Sequence, residues 1–233
     1  MSALVPCAAV FGSRTTGRLR RGLAVGVLPA ALLTLCAAAQ AAGGPTIHPD
    51  LGCYQVGQAV QVNGAGFAPS REFDLAVDGV DFGQSTTNAT GGFSVRAGLG
   101  SLRGVAQHVE ALSASDGSSE AHATVTLTLR AGARFLATSG QSGSLRAPVE
   151  VWDFSPNGPP RSVYLHYVSP AQQLRSTVPL GRTGGQCGYL RTKSLRVFPF
   201  TPSKGRWVFQ IDTQLSYAAQ PQGPVARFGV RVA

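Results

Sequence analysis

The residues best suited to acid–base or metal chemistry are the four histidines, His48, His108, His122 and His166. None of them is paired at metal-ligand spacing, and the chain has neither a Gly-x-Ser-x-Gly elbow nor a His-Glu-x-x-His motif. His166 lies between Tyr164 and Tyr167, with Asp153 upstream, and could act as a hydrolase base. Since the sequence marks no nucleophile for it, we predict a protein without catalytic residues, in which this histidine belongs to a strand.

Two further patterns could bind ions. Asp74, Asp78 and Asp81 could offer oxygens to calcium, but they flank a predicted hairpin, so a solvated turn is the simpler interpretation. The glycine-rich run 181–185 lacks the Lys-Ser/Thr that completes a phosphate-binding loop. We therefore predict no metal site and no cofactor.

Charge is divided unevenly along the chain. Residues 43–129 contain three basic and eight acidic side chains, whereas residues 130–233 contain thirteen basic side chains against Glu150, Asp153 and Asp212. The basic half could attract an anionic envelope polymer, dock on the acidic half, or simply be solvated. Because no recognition helix or RNA-binding signature is present, we predict no nucleic-acid partner.

A candidate binding surface lies in the basic half. Its cationic members are Arg182, Arg191, Lys193, Arg196, Lys204 and Arg206. Tyr189, Phe198, Phe200 and Trp207 interleave with them, and arginine beside aromatic rings can bind polyanions or carbohydrate. The alternative is that the aromatic rings face a core while the cations face water.

The first 41 residues are typical of an export signal. A positive stretch with Arg14, Arg18, Arg20 and Arg21 precedes an apolar run over residues 22–39, and Ala39-Gln40-Ala41 offers a peptidase site. We predict cleavage after Ala41 and a secreted or envelope-associated protein, with the general or the twin-arginine route left open. An uncleaved anchor and lipidation at Cys36 are the alternatives.

The cysteines are consistent with export. Cys7 and Cys36 fall within the predicted signal, which leaves Cys53 and Cys187. Export permits a disulfide between them, but a sequence does not show proximity, so two unpaired thiols remain the alternative.

The pattern of apolar residues predicts strands. Apolar residues make up 43% of the chain, charged residues only 13%, and Gly (29) and Pro (15) are abundant. Phe73, Leu75 and Val77 alternate before Asp78-Gly79, a strong hairpin signal, and no ten-residue segment of the predicted mature chain has a helical stripe with caps. A weak repeat at an offset of 87 residues relates the segments 67–69 and 154–156. We predict an all-β chain of two tandem antiparallel sandwiches, over residues 45–129 and 130–233.

The run 60–69, the turn at Asp78-Gly79 and the segment Gly92-Phe93-Ser94-Val95 resemble the Ig-like modules of secreted and surface bacterial proteins. The resemblance covers residues 45–129 well and 130–233 less well. It implies a β-sandwich and an extracellular role but no particular ligand.

We therefore expect a non-enzymatic, exported binding or structural protein of the bacterial cell envelope or secretome. Its partner would be an anionic polymer or a surface protein. The alternative is a secreted small-molecule or inhibitor-type module that uses an interdomain cleft. No stable transmembrane span is expected in the mature chain, and the sequence leaves the oligomeric state and domain orientation open.

Overall fold

The computed structural model describes residues 43–136 and 144–233, and these contain seventeen strands and no helix. The predicted all-β class is confirmed. The predicted signal peptide, 1–41, and its cleavage after Ala41 lie outside the described residues. In the described part of the chain, no helix is long and apolar enough to cross a membrane.

The first half of the described chain forms two sheets around one core. The larger sheet has the order β2 (Cys53–Gln55), β8 (Glu120–Thr128), β7 (Gln107–Ser115), β4 (Glu72–Val77) and β5 (Val80–Thr86). The smaller sheet has the order β1 (Thr46–Pro49), β3 (Ala59–Ala65) and β6 (Phe93–Gly98). β2 pairs in parallel with β8, and the other pairings in both sheets are antiparallel.

Local sequence accounts for these strands. In β4, Phe73, Leu75 and Val77 are buried, because successive side chains of a strand point to opposite faces and these three face the other sheet. Asp78 (φ 49°) and Gly79 (φ 74°) both have positive φ, as a two-residue type I′ turn requires, and they connect β4 to β5. The predicted hairpin is confirmed.

The second half also forms sheets around one core, with other strand numbers. A four-stranded sheet has the order β13 (Leu174–Arg182), β12 (Ser162–Val168), β16 (Gly205–Asp212) and β17 (Val225–Val232). A three-stranded sheet has the order β14 (Leu190–Arg191), β11 (Val149–Trp152) and β9 (Gly132–Phe135), and β10 (Arg146–Ala147) pairs with β15 (Leu195–Arg196). Side chains from β11, β12 and β16 meet in a second core.

The described residues, 43–136 and 144–233, group as one compact unit that contains both cores. A set of contacts that we call the junction connects the two halves. It contains the Cys53–Cys187 disulfide, the Asn157 side chain on the backbone of Cys53, and a hydrogen bond from Gln55 Nε2 to Asp153 Oδ2 of 2.6 Å. The division into domains 45–129 and 130–233 stays a prediction.

Candidate functional site

The basic half has a surface of one sign. All thirteen of its arginine and lysine side chains are exposed to solvent, and its three acidic residues, Glu150, Asp153 and Asp212, are buried. We call these thirteen residues the cationic surface: Arg130, Arg134, Arg146, Arg161, Arg175, Arg182, Arg191, Lys193, Arg196, Lys204, Arg206, Arg227 and Arg231. The sequence established the charge excess, but only folding shows that no acidic side chain of this half is exposed beside it.

The buried acids are held by internal contacts. Glu150 on β11 accepts a hydrogen bond from Arg134 Nε at 2.6 Å and another from the Tyr189 hydroxyl. Burial acts to raise the pKa of Glu150, but the hydrogen bonds from Tyr189 and Arg134 outweigh it and the pKa lies below its usual value. Glu150 therefore stays ionised and compensates one cation, Arg134, across the strand pair.

The six residues of the predicted binding surface are all exposed but do not form one cluster on a single strand. Arg191, Lys193 and Arg196 lie along the β14–β15 segment. Arg182 ends β13 and donates to the Pro160 carbonyl oxygen at 3.1 Å, while Lys204 and Arg206 lie at the start of β16. The β14–β15 group is therefore the most continuous part of the predicted surface.

Two pairs of arginines stand directly opposite one another across strands. Arg146 pairs with Arg196 between β10 and β15, and Arg206 pairs with Arg231 between β16 and β17. Like charges at such positions destabilise a sheet. Neutralising these pairs with an anion would remove that cost.

The aromatic residues near this surface serve mainly as core. Phe198 and Trp207 are buried, their ring centroids lie 5.5 Å apart, and both belong to the second core. Phe200 is half-buried, with the Arg175 guanidinium 6.0 Å from its ring centroid. Of the two interpretations of the sequence, the one with rings inward and cations outward fits this geometry better.

A cavity of about 760 Å³ opens between β9 and β17. Phe135, Trp152 and Phe228 contribute apolar walls, and Arg134 and Arg231 contribute cations. The Arg134 guanidinium lies 5.9 Å from the Trp152 ring centroid. This volume is in the range of small-molecule sites, and the lining suits an apolar anion.

His166 lies at the centre of a buried polar network. Its Nδ1 is 2.9 Å from Thr177 Oγ1, and its Nε2 is 3.2 Å from Asp212 Oδ1 and 3.1 Å from the Gln214 carbonyl oxygen. A hydroxyl, an imidazole and a carboxylate in a row resemble a hydrolase triad. However, His166 is 0% exposed, so a substrate cannot reach it, and the contact with Gln214 ties down the segment after β16.

In the acidic half, Asp78 contacts a backbone amide and a histidine. Asp78 Oδ1 accepts from the Ala111 amide at 2.7 Å, and its Oδ2 lies 2.9 Å from His108 Nε2. The Ala111 amide and then His108 lower the pKa of Asp78. Among the described residues no group of three or more His, Cys, Asp or Glu side chains is placed to hold a metal ion.

Sequence reasoning did not anticipate the roles of Asn157 and Glu110. Asn157 lies within a turn and precedes Gly158, so the turn alone accounts for its residue type. Glu110 did carry a signal, because it shares the period-two face of Leu112 and Ala114, where an apolar residue is expected. A polar residue on a core-facing register marks a position that deserves a functional explanation.

Comparison with known proteins leaves function open. A scan against family models finds no match, and neither does a search of curated proteins. Solved structures with similar strand arrangements include a tetra-tandem repeat of a large adhesion protein (13% identity, TM-score 0.29, 82% of this chain), and this chain covers 49% of that one. Another is bovine butyrophilin, with 11% identity and a TM-score of 0.32, over 82% of this chain and 100% of that one. A third is a pair of tandem Ig domains of titin, with 14% identity and a TM-score of 0.36, over 80% of this chain and 94% of that one. TM-scores below 0.5 assign neither a fold family nor a ligand.

Proposed function

We propose that this chain is a non-enzymatic, exported binding or structural module of the bacterial cell envelope or secretome, and that its cationic surface contacts an anionic polymer. The observation that carries the proposal is the burial of all three acids of residues 130–233 while all thirteen cations remain exposed. Such a surface raises the local concentration of polyanions and accelerates their association.

The junction argues against the alternative that the basic half exists to dock on the acidic half. The contacts that connect the halves are a disulfide, amide hydrogen bonds and the Gln55–Asp153 hydrogen bond. The ion pairs found among the described residues each lie within one half. Apart from Arg134, which pairs with Glu150, these cations therefore remain available to an external partner.

The disulfide supports an extracytoplasmic location. Cys53 and Cys187 are joined across 134 residues of chain, and both are buried. Such bonds persist in oxidising compartments and are rare in the cytosol. This supports export, in agreement with the expected signal over residues 1–41.

The test is co-sedimentation of the chain from Ala42 onward with isolated bacterial envelopes, and with polyglutamate beads, at about 50 and about 500 mM salt. Since the Debye length falls from roughly 14 to about 4 Å over this range, contacts between exposed charges weaken strongly. We expect pelleting at low salt and release at high salt. Absence of pelleting at low salt would exclude the polymer-binding role.

Two variants of equal charge change locate the surface. Replacing Arg191, Lys193 and Arg196 by serine removes three exposed cations from the β14–β15 segment. Replacing Arg71, Arg96 and Arg103 by serine removes the three exposed cations of the acidic half and serves as the control. We expect the first variant to lose binding and the second to retain it. Equal loss in both would show that net charge alone governs the interaction.

The cavity between β9 and β17 favours a second candidate function, a small-molecule module. Its apolar walls and cations suit an aromatic anion, for which 1-anilinonaphthalene-8-sulfonate is a suitable probe. Saturable dye fluorescence that is lost in Trp152→Ala would support this candidate. Dye binding that is unchanged by Trp152→Ala would exclude the cavity.

A further inference from the structure

Glu110 is a charged residue on the inner face of a sandwich. It lies on β7 on the same face as Leu112 and Ala114, whose side chains are in the first core. Glu110 is 3% exposed. One carboxylate oxygen, Oε1, accepts a hydrogen bond from the Gly100 amide at 3.0 Å. The other, Oε2, is buried and has no hydrogen-bond partner. A buried polar atom without a partner destabilises the folded state, so it calls for a ligand or a structural reason.

Glu110 lines a cavity of about 280 Å³ at one end of the first sandwich. The other walls are mostly apolar and come from Val77, Val80, Phe82 and Leu99. Val80 is 68% exposed and Phe82 is 47% exposed, although both are large apolar residues. They lie on β5, an edge strand whose seven residues are all exposed. The cavity therefore combines an open apolar rim with a carboxylate oxygen that lacks a partner.

The charges around the cavity have one prevailing sign. Asp78 also lines the cavity, and its Oδ2 lies 2.9 Å from His108 Nε2. Burial, and then the charge of Asp78, raise the pKa of Glu110, while the Gly100 amide and His108 act in the opposite direction. A cation beside Oε2 would offset both burial and the charge of Asp78. This site is separate from the cationic surface, so the inference does not rest on the proposed function.

We propose that this cavity binds an alkylammonium group, with the ammonium nitrogen donating to Glu110 Oε2 and the aliphatic stem lying between Val80, Phe82 and Leu99. A metal ion is less suitable, because calcium needs six to eight oxygens and the described residues hold no cluster of three or more potential metal ligands. A guanidinium is less suitable because its paired donors match two free oxygens, and the Gly100 amide already occupies Oε1.

Such a group can belong to a free polyamine or to a lysine side chain of a partner protein. Spermidine and Nα-acetyl-lysine methylamide present the two sources separately, and n-pentylammonium presents the bare chemistry. Saturable binding of any of these supports the site, and the tighter of the first two identifies the source. n-Pentanoate has a similar stem with the opposite charge and is expected not to bind.

The experiment is a titration of the chain from Ala42 onward with these four probes, followed by the NMR signal of the Gly100 amide, which donates to Glu110. Glu110→Gln keeps an oxygen for Gly100 and removes the charge, and Glu120→Gln removes the same charge from an exposed site on β8. We expect n-pentylammonium to shift the Gly100 signal saturably, Glu110→Gln to weaken binding at least tenfold, and Glu120→Gln to leave it unchanged.

A second variant distinguishes loss of the binding site from loss of folding. Phe82→Ser alters an exposed wall residue rather than a buried one, and we expect it to weaken n-pentylammonium binding while the spectrum of the free protein stays native. Equal affinity in the wild type and Glu110→Gln would overturn the proposal. So would a Gly100 signal that does not respond to any of the three ammonium probes, which would show that Glu110 serves only to hold the Gly100 amide.

Discussion

Asn157 completes the hydrogen bonding of Cys53, a residue 104 positions earlier in the chain. Its Oδ1 accepts from the Cys53 amide at 2.8 Å, and its Nδ2 donates to the Cys53 carbonyl oxygen at 2.9 Å. β2, which contains Cys53, is an edge strand that pairs with β8 on one side. The amide of Asn157 thus acts as a substitute for a neighbouring strand and covers an edge that would otherwise remain open.

We expect the Asn157 side chain to contribute measurably to stability. Glycine tolerates the positive φ of 52° at position 157, so Asn157→Gly adds no backbone strain. The substitution leaves the Cys53 amide and carbonyl without this partner. The expected loss in the free energy of unfolding is about 1–3 kcal/mol, measured by urea denaturation. Gln172→Gly is the matched control, because Gln172 is exposed and also has positive φ, 60°. A loss in the control equal to that in Asn157→Gly would contradict this role.

The disulfide should be the largest single contribution to the stability of the junction. It closes a loop of 134 residues, and the chain-entropy model assigns such a crosslink about 4–5 kcal/mol. We expect the urea midpoint of the chain from Ala42 onward to fall when the bond is reduced, and Cys53→Ser/Cys187→Ser to reproduce that midpoint. Alkylation without reductant should add no mass. Two added alkyl groups would show that the thiols are free.

Asp153 should make stability depend on pH. Burial raises its pKa above the usual value of 3.8, and hydrogen bonds from the Gln55 side chain and the Ala131 amide oppose this. A carboxyl group with a raised pKa in the folded state binds its proton more tightly there than in the unfolded chain. Its contribution to stability is therefore fully present below pH 3.8 and is lost as pH rises through the folded-state pKa.

Asp153→Asn removes this titration and, like the aspartate, tolerates the positive φ of 60°. We expect the variant to gain stability relative to the wild type as pH rises from about 3 to 7, in urea denaturation at each pH. Asp74→Asn, at an exposed site, is the control. A stability difference between Asp153→Asn and the wild type that does not change with pH would contradict the prediction.

The network around His166 should stabilise the segment that follows β16. His166 contacts the Gln214 carbonyl, Asp212 Oδ1 accepts from the Gln214 amide at 2.8 Å, and Gln210 Nε2 donates to the Ala218 carbonyl at 2.9 Å. We expect His166→Ala to lose about 2–4 kcal/mol and to increase proteolytic cleavage within residues 213–224. His122→Ala, at an exposed histidine, should change neither property. Unaltered cleavage in His166→Ala would refute this structural role.

Local sequence was sufficient to predict the hairpin that contains β4. Alternation in Phe73, Leu75 and Val77 and the turn residues Asp78 and Gly79 act over a few residues, and the structure has β4, the turn and β5 there. Composition likewise determined the excess of cations in residues 130–233. The signal over residues 1–41, the two domain boundaries and the six-residue binding surface remain predictions.

Tertiary structure alone decided which charges face water and which long-range pairs form. The sequence left the pairing of Cys53 with Cys187 open, because proximity across 134 residues depends on how both halves of the chain fold. The same holds for the two hydrogen bonds between the Asn157 side chain and the Cys53 backbone, and for the burial of Glu150, Asp153 and Asp212. The two-residue period of a strand shows which residues share a face. Which face becomes buried, and what partner a buried carboxylate such as Glu110 finds, depend on elements distant in the chain.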